Sequence, residues 1–472
     1  MKSSKFRLSF GVALACAAVI FSLALSAQAQ TVDFFAVFNG GNGWGPSTVI
    51  QATDGNFYGT TSSGAFGFGN VFRVTPAGEI TSIYRFCSQP NCADGAVPKT
   101  APVLGSDGNL YGVTYAGGSD LGNASGWGTL YRLTLDGQIT ILHTFCTSPC
   151  IDGANPIGIT LASDGNFYGT TSEGGEFTWG TLFKISPTGE FTLLHAFCSL
   201  ANCTDGRQPF SPPIQSSNGS FYGTACCGGS LQEAGVLYEM TLAGQYSVLH
   251  DFPCNDFFCP LGSVPESIVQ DANGNLFGVD GPDNNGAAIL EITAAHQYIV
   301  LHKFPPVGAE SYAPTRLTLA NDGNFYDCTS GIDGYATLFE MTPEGAYTTL
   351  FTGEDGYSPY GPLFQGTDGN LYGPAGNFNT GNHGVIYRLS NGLSPLVETV
   401  PVAGPVGQSV IILGNNLTGS TSVTFNGVAA EFAVESDTHI KAVVPAGATT
   451  GMVSVVTPSG ALNSNPQFVV TK

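Results

Sequence analysis

The octapeptide Asp164-Gly-Asn-Phe-Tyr-Gly-Thr-Thr171 decides the fold, because close copies of it recur six more times along the chain. The other copies begin at Asp54, Asp107, Asn218, Asn273, Asp322 and Asp368. Successive copies start 46 to 57 residues apart, in a chain of 472 residues that contains 64 glycines. A repeat of this length, rich in glycine and in strand-like segments, predicts a β-propeller or another repeat array.

Each repeat reads as four short strands of an antiparallel sheet. Asp-Gly or Asn-Gly favours a tight hairpin turn, since both residues tolerate positive φ, and this turn joins the first strand to the second. The third and fourth strands alternate in hydrophobicity, as in residues 180–186 and 191–197, with a Pro-x-Gly turn between them. A proline opens each first strand: Pro46, Pro98, Pro156, Pro209, Pro265, Pro314 and Pro359.

The two ends of the repeat array complement each other. The seventh repeat stops at Asn391-Gly392 without a fourth strand, whereas Thr31 to Phe38 reads as a fourth strand that precedes the first repeat. Pairing the two would close a ring and remove the open sheet edges. We therefore expect an all-β protein with a seven-bladed β-propeller closed by the N-terminal strand; an open solenoid is the alternative.

Residues 1–29 have the pattern of a signal peptide. Lys2, Lys5 and Arg7 precede an apolar run, and Ala27-Gln-Ala29 fits the small-residue cleavage pattern. A lipoprotein anchored at Cys16 is the alternative. No other stretch is long and apolar enough to span a bilayer, so we expect a secreted or cell-surface protein with no transmembrane segment in the mature chain.

The charge balance disfavours nucleic acid and anionic lipid surfaces as partners. The chain carries 35 acidic residues against 14 Lys and Arg, a net charge of −21. Removing residues 1–29 takes away three cations and no acid, which gives −24. Repulsion of this size opposes contact with another polyanion.

Most of the 12 cysteines form close pairs just after predicted fourth strands. In an exported protein, such pairs predict local disulfides that close the loops between repeats. Zinc is disfavoured because the pairs fall in different repeats and lack histidine ligands nearby. The predicted pairs are Cys87 with Cys92, Cys146 with Cys150, Cys198 with Cys203, and Cys254 with Cys259; the sequence leaves open the state of Cys226, Cys227 and Cys328.

A second domain is expected from residue 393 to residue 472. Short alternating strands follow one another there, including 421–428, 440–445 and 451–456. The stretch resembles the IPT/TIG immunoglobulin-like domain through Gly-Pro-Val-Gly-x-x-Val-x-Ile, Val-Thr-Phe-Asn-Gly-Val and Val-Pro-Ala-Gly-Ala-Thr-Thr-Gly. The resemblance implies a β-sandwich that serves as a spacer or interaction module, and it carries no catalytic residue.

Residues 30–392, the expected propeller, resemble the GloVer tandem-repeat family of exported bacterial proteins. The octapeptide, the segment Gly-Thr-Leu-Phe-Lys-Ile-Ser-Pro-x-Gly and Asp152-Gly-x-x-Pro156 carry the resemblance. It implies the fold and the compartment, but no activity. Members often end in a sorting anchor; this chain ends in Phe468-Val-Val-Thr-Lys472, so free secretion is expected.

Two recurring residue types could suggest catalysis or metal binding. The first is a histidine in the fourth strand, at a position that Tyr84 and Phe351 occupy in other repeats, so we interpret it as a packing position. The second is the aspartate of Asp-Gly-Asn, which Asn218 and Asn273 replace, so we interpret it as a turn residue. The histidines are His143, His195, His250 and His302.

No cofactor and no metal are expected. The chain lacks a Gly-x-Ser-x-Gly elbow, a His-Glu-x-x-His motif and a phosphate-binding Gly-x-x-x-x-Gly-Lys. An enzyme is therefore disfavoured, although the sequence does not decide the question.

The loops between strands two and three, and those between repeats, vary in length and carry aromatic residues. Variable aromatic loops on a rigid scaffold are typical of a binding surface. The alternative is that some of these rings wedge between neighbouring blades. The candidate ligand-binding residues are Trp44, Trp127, Trp179, Phe257, Phe258 and Tyr357.

We therefore expect a secreted, non-catalytic, monomeric protein whose loop-rich face contacts a glycan or a protein. An extracellular enzyme acting on glycans at the central opening and a structural matrix module are the alternatives. Carboxylates or histidines with perturbed pKa values in the central opening would favour the enzyme. The sequence does not identify the ligand.

Overall fold

The computed structural model describes residues 30–64, 67–118, 126–230, 235–252, 265–280, 287–305, 314, 316–329, 336–353, 357–377 and 383–471. Strands dominate these residues, and the only helices among them are two 3₁₀ turns, Pro90–Cys92 and Ala201–Cys203. The all-β class predicted from the repeats is confirmed.

Strand β1 (Thr31–Val37) precedes the repeats, each of which forms one antiparallel sheet. Sheet 1 contains β2 (Trp44–Gln51), β3 (Phe57–Ser63), β4 (Asn70–Val74) and β5 (Ile80–Arg85). Sheet 2 contains β6 (Val103–Leu104), β7 (Leu110–Thr114), β8 (Thr129–Leu133) and β9 (Ile139–Thr144). Sheet 3 contains β10 (Ala154–Leu161), β11 (Phe167–Glu173), β12 (Thr181–Ile185) and β13 (Phe191–Ala196). Sheet 4 contains β14 (Arg207–Pro209), β15 (Ile214–Gln215), β16 (Phe221–Cys227), β17 (Val236–Met240) and β18 (Tyr246–Asp251).

The remaining three repeats follow the same plan. Sheet 5 contains β19 (Pro265–Gln270), β20 (Leu276–Asp280), β21 (Ala288–Ile292) and β22 (Tyr298–Lys303). Sheet 6 contains β23 (Thr318–Leu319), β24 (Phe325–Thr329), β25 (Thr337–Met341) and β26 (Tyr347–Thr352). Sheet 7 contains β27 (Tyr357–Pro359), β28 (Phe364–Gln365), β29 (Leu371–Asn377) and β30 (Val385–Ser390), and β1 pairs with β30 as its outer strand.

The Asp-Gly-Asn-x-Tyr motif builds its turn with a short hydrogen-bond network. In sheet 1, the Asp54 carboxylate accepts bonds from the Asn56 backbone N–H at 3.1 Å and from Tyr58 Oη at 2.7 Å. Gly55 sits between them with φ +77°, a conformation that glycine adopts without steric cost. In sheet 4, Asn218 takes the same place and donates to Tyr222 Oη at 2.8 Å. These contacts support the interpretation of the aspartates as turn residues.

The glycine that follows this tyrosine makes room for an aromatic ring from the third strand. A Cβ on Gly112 would lie 2.3 Å from Tyr131 Oη, and one on Gly223 would lie 2.3 Å from Tyr238 Oη. Both tyrosine rings are fully buried. In these two sheets, the second strand therefore requires glycine, because a large ring of the third strand covers it.

The first and seventh sheets are neighbours. Strand β1 pairs with β30 from Thr31↔Ser390 to Val37↔Val385. Tyr360 Oη, in sheet 7, donates to the Pro46 carbonyl oxygen of sheet 1 at 3.0 Å. Ala36 of β1 and the adjacent Phe38 share one core cluster with buried side chains of sheet 1 and sheet 7.

The C-terminal domain is a sandwich of two four-stranded antiparallel sheets with an added parallel pair. One sheet contains β31 (Glu398–Val400), β33 (Ser409–Leu413), β36 (Phe432–Ser436) and β37 (His439–Val443). The other contains β34 (Ser422–Phe425), β35 (Val428–Ala429), β38 (Val453–Thr457) and β39 (Gly460–Asn463). Strands β32 (Ala403–Pro405) and β40 (Val469–Thr471) form the parallel pair, and residues of both sheets, with Phe468, share one buried core.

The C-terminal domain lies against the Asp-Gly-Asn turns of the repeats. Thr438 Oγ1 donates to the Thr53 carbonyl at 2.8 Å, and Asn465 Nδ2 donates to the Leu319 carbonyl at 3.1 Å. Ile411 and Leu413 pack in one cluster with buried residues of sheets 1 and 2. The domain thus contacts several repeats at the same end of their sheets.

Candidate functional site

The repeat sheets have two chemically different ends. Because neighbouring strands are antiparallel, each first and third strand starts at one end, where each second and fourth strand stops. We call this the loop end, since it carries the second-to-third loops and the connections between repeats. The opposite end, here called the turn end, carries the Asp-Gly-Asn turns and the Pro-x-Gly turns, and it contacts the C-terminal domain.

The three tryptophans all lie at the loop end, at boundaries between sheets. Trp127 and Trp179 directly precede the Gly-Thr that opens a third strand, and their carbonyls accept hydrogen bonds from the backbone N–H groups of Asn155 and Gln208 at 2.8 and 2.9 Å. Both acceptors therefore join one sheet to the next. Asn155 and Gln208 have φ values of 56° and 53°, which non-glycine residues adopt only where surrounding contacts enforce them.

The rings of these tryptophans remain accessible although their backbones are fixed. Trp44 is 46% exposed and stacks on His383, with ring centroids 4.4 Å apart and planes 11° from parallel. Trp127 is 40% exposed. The Arg207 guanidinium lies 4.7 Å from the centre of the half-buried Trp179 ring. The rings thus combine the wedge position with the exposed face that a ligand could contact.

The structure does not describe the side chains of three of the six predicted aromatic residues. It also contains exposed aromatic rings that the sequence did not indicate. Phe257 and Phe258 lie outside the described residues, and so does the side chain of Tyr357. The structure adds three exposed rings that the sequence did not indicate: Phe34 at 50%, Phe177 at 37% and Phe210 at 48%. Phe210 follows Pro209 in the first strand of sheet 4, and no sequence pattern distinguishes an exposed residue there from a buried one.

Disulfides fix the chain at the loop end. Three of the four predicted pairs are bonded, and each follows the fourth strand of its sheet, as the sequence predicted. They are Cys87–Cys92, Cys146–Cys150 and Cys198–Cys203.

The structure does not describe the fourth predicted pair. Cys254 lies outside the described residues, and Cys259 does too, so a disulfide between them stays a prediction. Of the cysteines that the sequence left open, Cys226 and Cys227 have Sγ atoms 2.6 Å apart and Cys328 is buried.

Buried aspartates hold the same loops in place through hydrogen bonds. Asp94 accepts hydrogen bonds from Tyr84 Oη at 2.7 Å and from the backbone N–H groups of Ser88 and Gln89 at 2.9 and 3.2 Å. Asp205 holds Ser199 in the corresponding loop of sheet 3. Both aspartates are fully enclosed, so they anchor the connections between repeats in addition to preceding a turn glycine.

The four recurrent histidines form a packing series between neighbouring sheets. His143 stacks on Phe191 at 4.2 Å, and His195 stacks on Tyr246 at 3.9 Å; in each pair the partner opens the fourth strand of the next sheet. His250 and His302 stack in the same way on Tyr298 and Tyr347. Burial lowers the pKa of His195, against the opposing effect of Asp205, and it also lowers the pKa of His250 and of His302.

A large cavity lies among the first strands of all seven repeats. It has a volume of about 1720 Å³, and residues of the C-terminal domain complete its wall. Its charged lining residues are Lys99, Asp271, Arg316, Glu344 and Glu398. Burial raises the pKa of the Glu398 carboxyl to about 8. Sequence reasoning missed Arg316 and Glu398, because neither belongs to a repeated or catalytic motif.

The described ranges contain neither a cluster of metal-binding side chains nor a membrane-spanning helix. No group of three or more His, Cys, Asp or Glu side chains there is placed to hold a metal ion. In the same part of the chain, no helix has the length and apolar character to cross a membrane.

The sheets, the sandwich and the disulfides define an all-β tandem-repeat protein with an immunoglobulin-like C-terminal domain. The chain belongs to the Gloeobacter/Verrucomicrobia repeat family, whose model matches residues 14–225, 119–331 and 208–427. An IPT/TIG domain occupies residues 396–470. Both predicted resemblances are confirmed. No curated protein matches the chain.

Solved structures resemble the chain in fold. The extracellular domain of a protein described as a hybrid two component system from B. thetaiotaomicron is 11% identical, with a TM-score of 0.50; the match covers 94% of this chain and 59% of that one. A luciferin-regenerating enzyme is 11% identical at a TM-score of 0.41, covering 78% of this chain and 97% of that one. The PQQ-bound aldose sugar dehydrogenase of Streptomyces coelicolor is 13% identical at 0.39, covering 76% and 98%.

Proposed function

We propose that residues 30–392 form a closed seven-bladed propeller whose loop end binds an extracellular glycan or protein without catalysis. Strand β1 completes sheet 7 in this proposal, and residues 393–472 form the second domain. The family, the IPT/TIG domain and the disulfides fit an extracellular protein. We further propose that residues 1–29 are removed on export and that the mature protein is a secreted or surface-associated monomer.

One observation carries the binding proposal: accessible tryptophan rings lie at the same end of the sheets on a fixed backbone. Trp44 and Trp127 are each at least 40% exposed, although a free tryptophan ring gains from burial. The Trp127 carbonyl joins sheet 2 to sheet 3, so the backbone that carries the ring is held at the boundary between the two sheets. A rigid ring loses little conformational entropy on binding, which favours recognition.

The position of the C-terminal domain supports placing the binding surface at the loop end. The C-terminal domain contacts the turn end, and its residues complete the wall of the central cavity. Among the described residues, the loop end carries none of those contacts. An aromatic face suits the apolar face of a sugar ring or an apolar protein patch, because both stack without a charge requirement.

The test combines glycan-array binding and pull-down with thermal unfolding of the full chain. Trp44→Ala and Trp127→Ala should each weaken binding by about tenfold, as expected for the loss of one aromatic contact of about 1–2 kcal/mol. The control is Leu193→Ala, which removes an apolar side chain that is 38% exposed on the outer strand β13. Unchanged binding combined with a large drop in Tm for the tryptophan variants would show that the rings only join blades.

A further inference from the structure

The central cavity carries an inference that is independent of the loop end. Seven equivalent positions, each two residues after the proline that opens a repeat, line its wall. Six of them are small: Thr48, Thr100, Gly158, Ser211, Ser267 and Gly361. The seventh is Arg316, so a guanidinium replaces a small side chain at one place in an otherwise uniform ring of residues.

A second departure from the repeat lies next to the first. The glycine after the repeat tyrosine is replaced by aspartate only in sheet 6, at Asp327, which is fully buried. Its carboxylate accepts a hydrogen bond from the Arg316 backbone N–H at 2.8 Å. It also opposes the lowering of the Arg316 pKa by burial. The two changes therefore form one unit, a half-buried guanidinium next to a buried carboxylate.

The rest of the wall is mainly apolar, with few charges. Ile50, Ile159, Leu363 and Met452 are among its lining residues. Asp271 and Glu344 line it from turns at the turn end, whereas Lys99 lies toward the loop end, with Nζ 3.2 Å from the centre of the Tyr115 ring. Two cations thus line this cavity in a chain with only 14 Lys and Arg against 35 acidic residues.

Glu398 extends the wall from the second domain. Its carboxyl makes no hydrogen bond or ion pair with any described residue, and the half-buried side chain lines the cavity. Strand β33, which pairs with β31, contributes no charged side chain near it. Burial raises its pKa to about 8, which favours the neutral carboxyl at pH 7 and reduces its repulsion of an anion.

We propose that the cavity binds a small amphipathic monocarboxylate, with the Arg316 guanidinium contacting the carboxylate and the apolar wall enclosing the hydrocarbon part. Guanidinium donors match carboxylate geometry, and a low-dielectric wall strengthens the contact. A cavity of about 1720 Å³ is larger than typical small-molecule sites, so it accommodates such a molecule together with water. This site is separate from the aromatic residues of the loop end.

The first experiment is calorimetric titration of the full chain with decanoate, decanol and decylammonium at pH 7. Decanoate should bind at least about tenfold more tightly than the other two probes, because only its head group pairs with the guanidinium. Equal binding of decanol, tighter binding of decylammonium, or no binding of decanoate would each overturn the proposal.

The repeat itself supplies the variant that tests Arg316. Arg316→Ser combined with Asp327→Gly gives sheet 6 the residues that sheet 4 has at Ser211 and Gly223, so it should fold. Decanoate affinity should fall at least about tenfold. The matched control, Arg388→Ser with Asp33→Gly, removes an ion pair of 2.6 Å between β30 and β1 and should leave decanoate binding unchanged. Equal loss in both variants would refute the role of Arg316.

Glu398 provides an independent readout if the double variant does not fold. As pH rises through about 8, the Glu398 carboxyl becomes charged and repels the ligand. Decanoate affinity should therefore fall by up to about tenfold between pH 7 and pH 9, and Glu398→Gln should make this fall smaller. Lys99, whose pKa is lowered by burial, lines the same cavity and contributes equally in both proteins. The same pH profile in both proteins would contradict the proposal. Trp127→Ala should not change decanoate binding, which separates this site from the loop-end proposal.

Discussion

Two aspartates that look alike in the sequence have different surroundings at the two ends of sheet 1. Asp54 and Asp94 each precede a glycine, and both read as turn residues. At the turn end, Asp54 is exposed and holds a local turn through Asn56 and Tyr58. At the loop end, Asp94 is fully buried and holds the connection to the next sheet through Tyr84 and Ser88.

This difference shows that the two ends of the sheets are stabilised in different ways. At the turn end, the side chain of the first motif residue forms its hydrogen bonds within the turn, as Asp54 and Asn218 do, so the same short motif serves seven times. At the loop end, the connections vary in length, and buried carboxylates and disulfides hold them in place. Variation is tolerated there because anchors inside the loop, rather than the loop sequence, fix the backbone.

The largest expected effect comes from removing the strand that joins the two ends of the array. Deleting residues 31–38 exposes the edge of β30 and removes the buried side chains of Ala36 and Phe38. We expect a loss of more than about 5 kcal/mol, seen as aggregation or non-cooperative thermal unfolding. Val37→Ser, at a position 48% exposed on the same strand, is the control and should unfold normally. A soluble deletion variant with an unchanged Tm would exclude ring closure by β1.

The next largest effect on stability comes from replacing Asp54 and Asp94, which tests the difference between the two ends of sheet 1 directly. Asp94→Ala removes the acceptor shared by the Tyr84 hydroxyl and two loop N–H groups, so it should cost about 3 kcal/mol. Asp54→Ala should cost about 1 kcal/mol, because water reaches the groups that it releases. Urea unfolding measures both values. Equal costs would mean that the two ends do not differ in the way proposed.

The sequence predicted the features that depend on neighbouring residues. The Asp-Gly-Asn-x-Tyr turns, the alternating strands and three disulfides follow from local patterns, and the structure contains them. It did not reveal that Asp94 is buried, because exposure depends on residues from other parts of the fold. It also missed Glu398, whose surroundings arise only when β31 of the second domain packs against the repeats. The hydrogen bond between Tyr360 and Pro46, which lie 314 residues apart in the chain, could not be predicted for the same reason.

The smallest expected effect concerns the histidine that packs beside the loop end. His195 stacks on Tyr246 and lies 3.1 Å from Asp205, the buried anchor of its loop. Phe351 occupies the equivalent position in sheet 6. His195→Phe should therefore change stability at pH 7 by less than about 0.5 kcal/mol, since a stacked ring remains and Asp205 keeps its bonds from Ser199.

The pH dependence distinguishes this packing role from a catalytic one. Burial lowers the pKa of His195 in the folded chain, so the unfolded chain takes up the proton first as pH falls below about 6.5. The stability that comes from keeping His195 neutral is therefore present above that pH and is lost on acidification. His195→Phe removes one such group, and its urea midpoint should fall less between pH 7 and pH 5 than that of the unmodified chain. Trp127→Ala, which changes no titrating group, should keep the original dependence. If His195→Phe instead abolishes ligand binding at pH 7, the histidine belongs to a site and the packing interpretation is wrong.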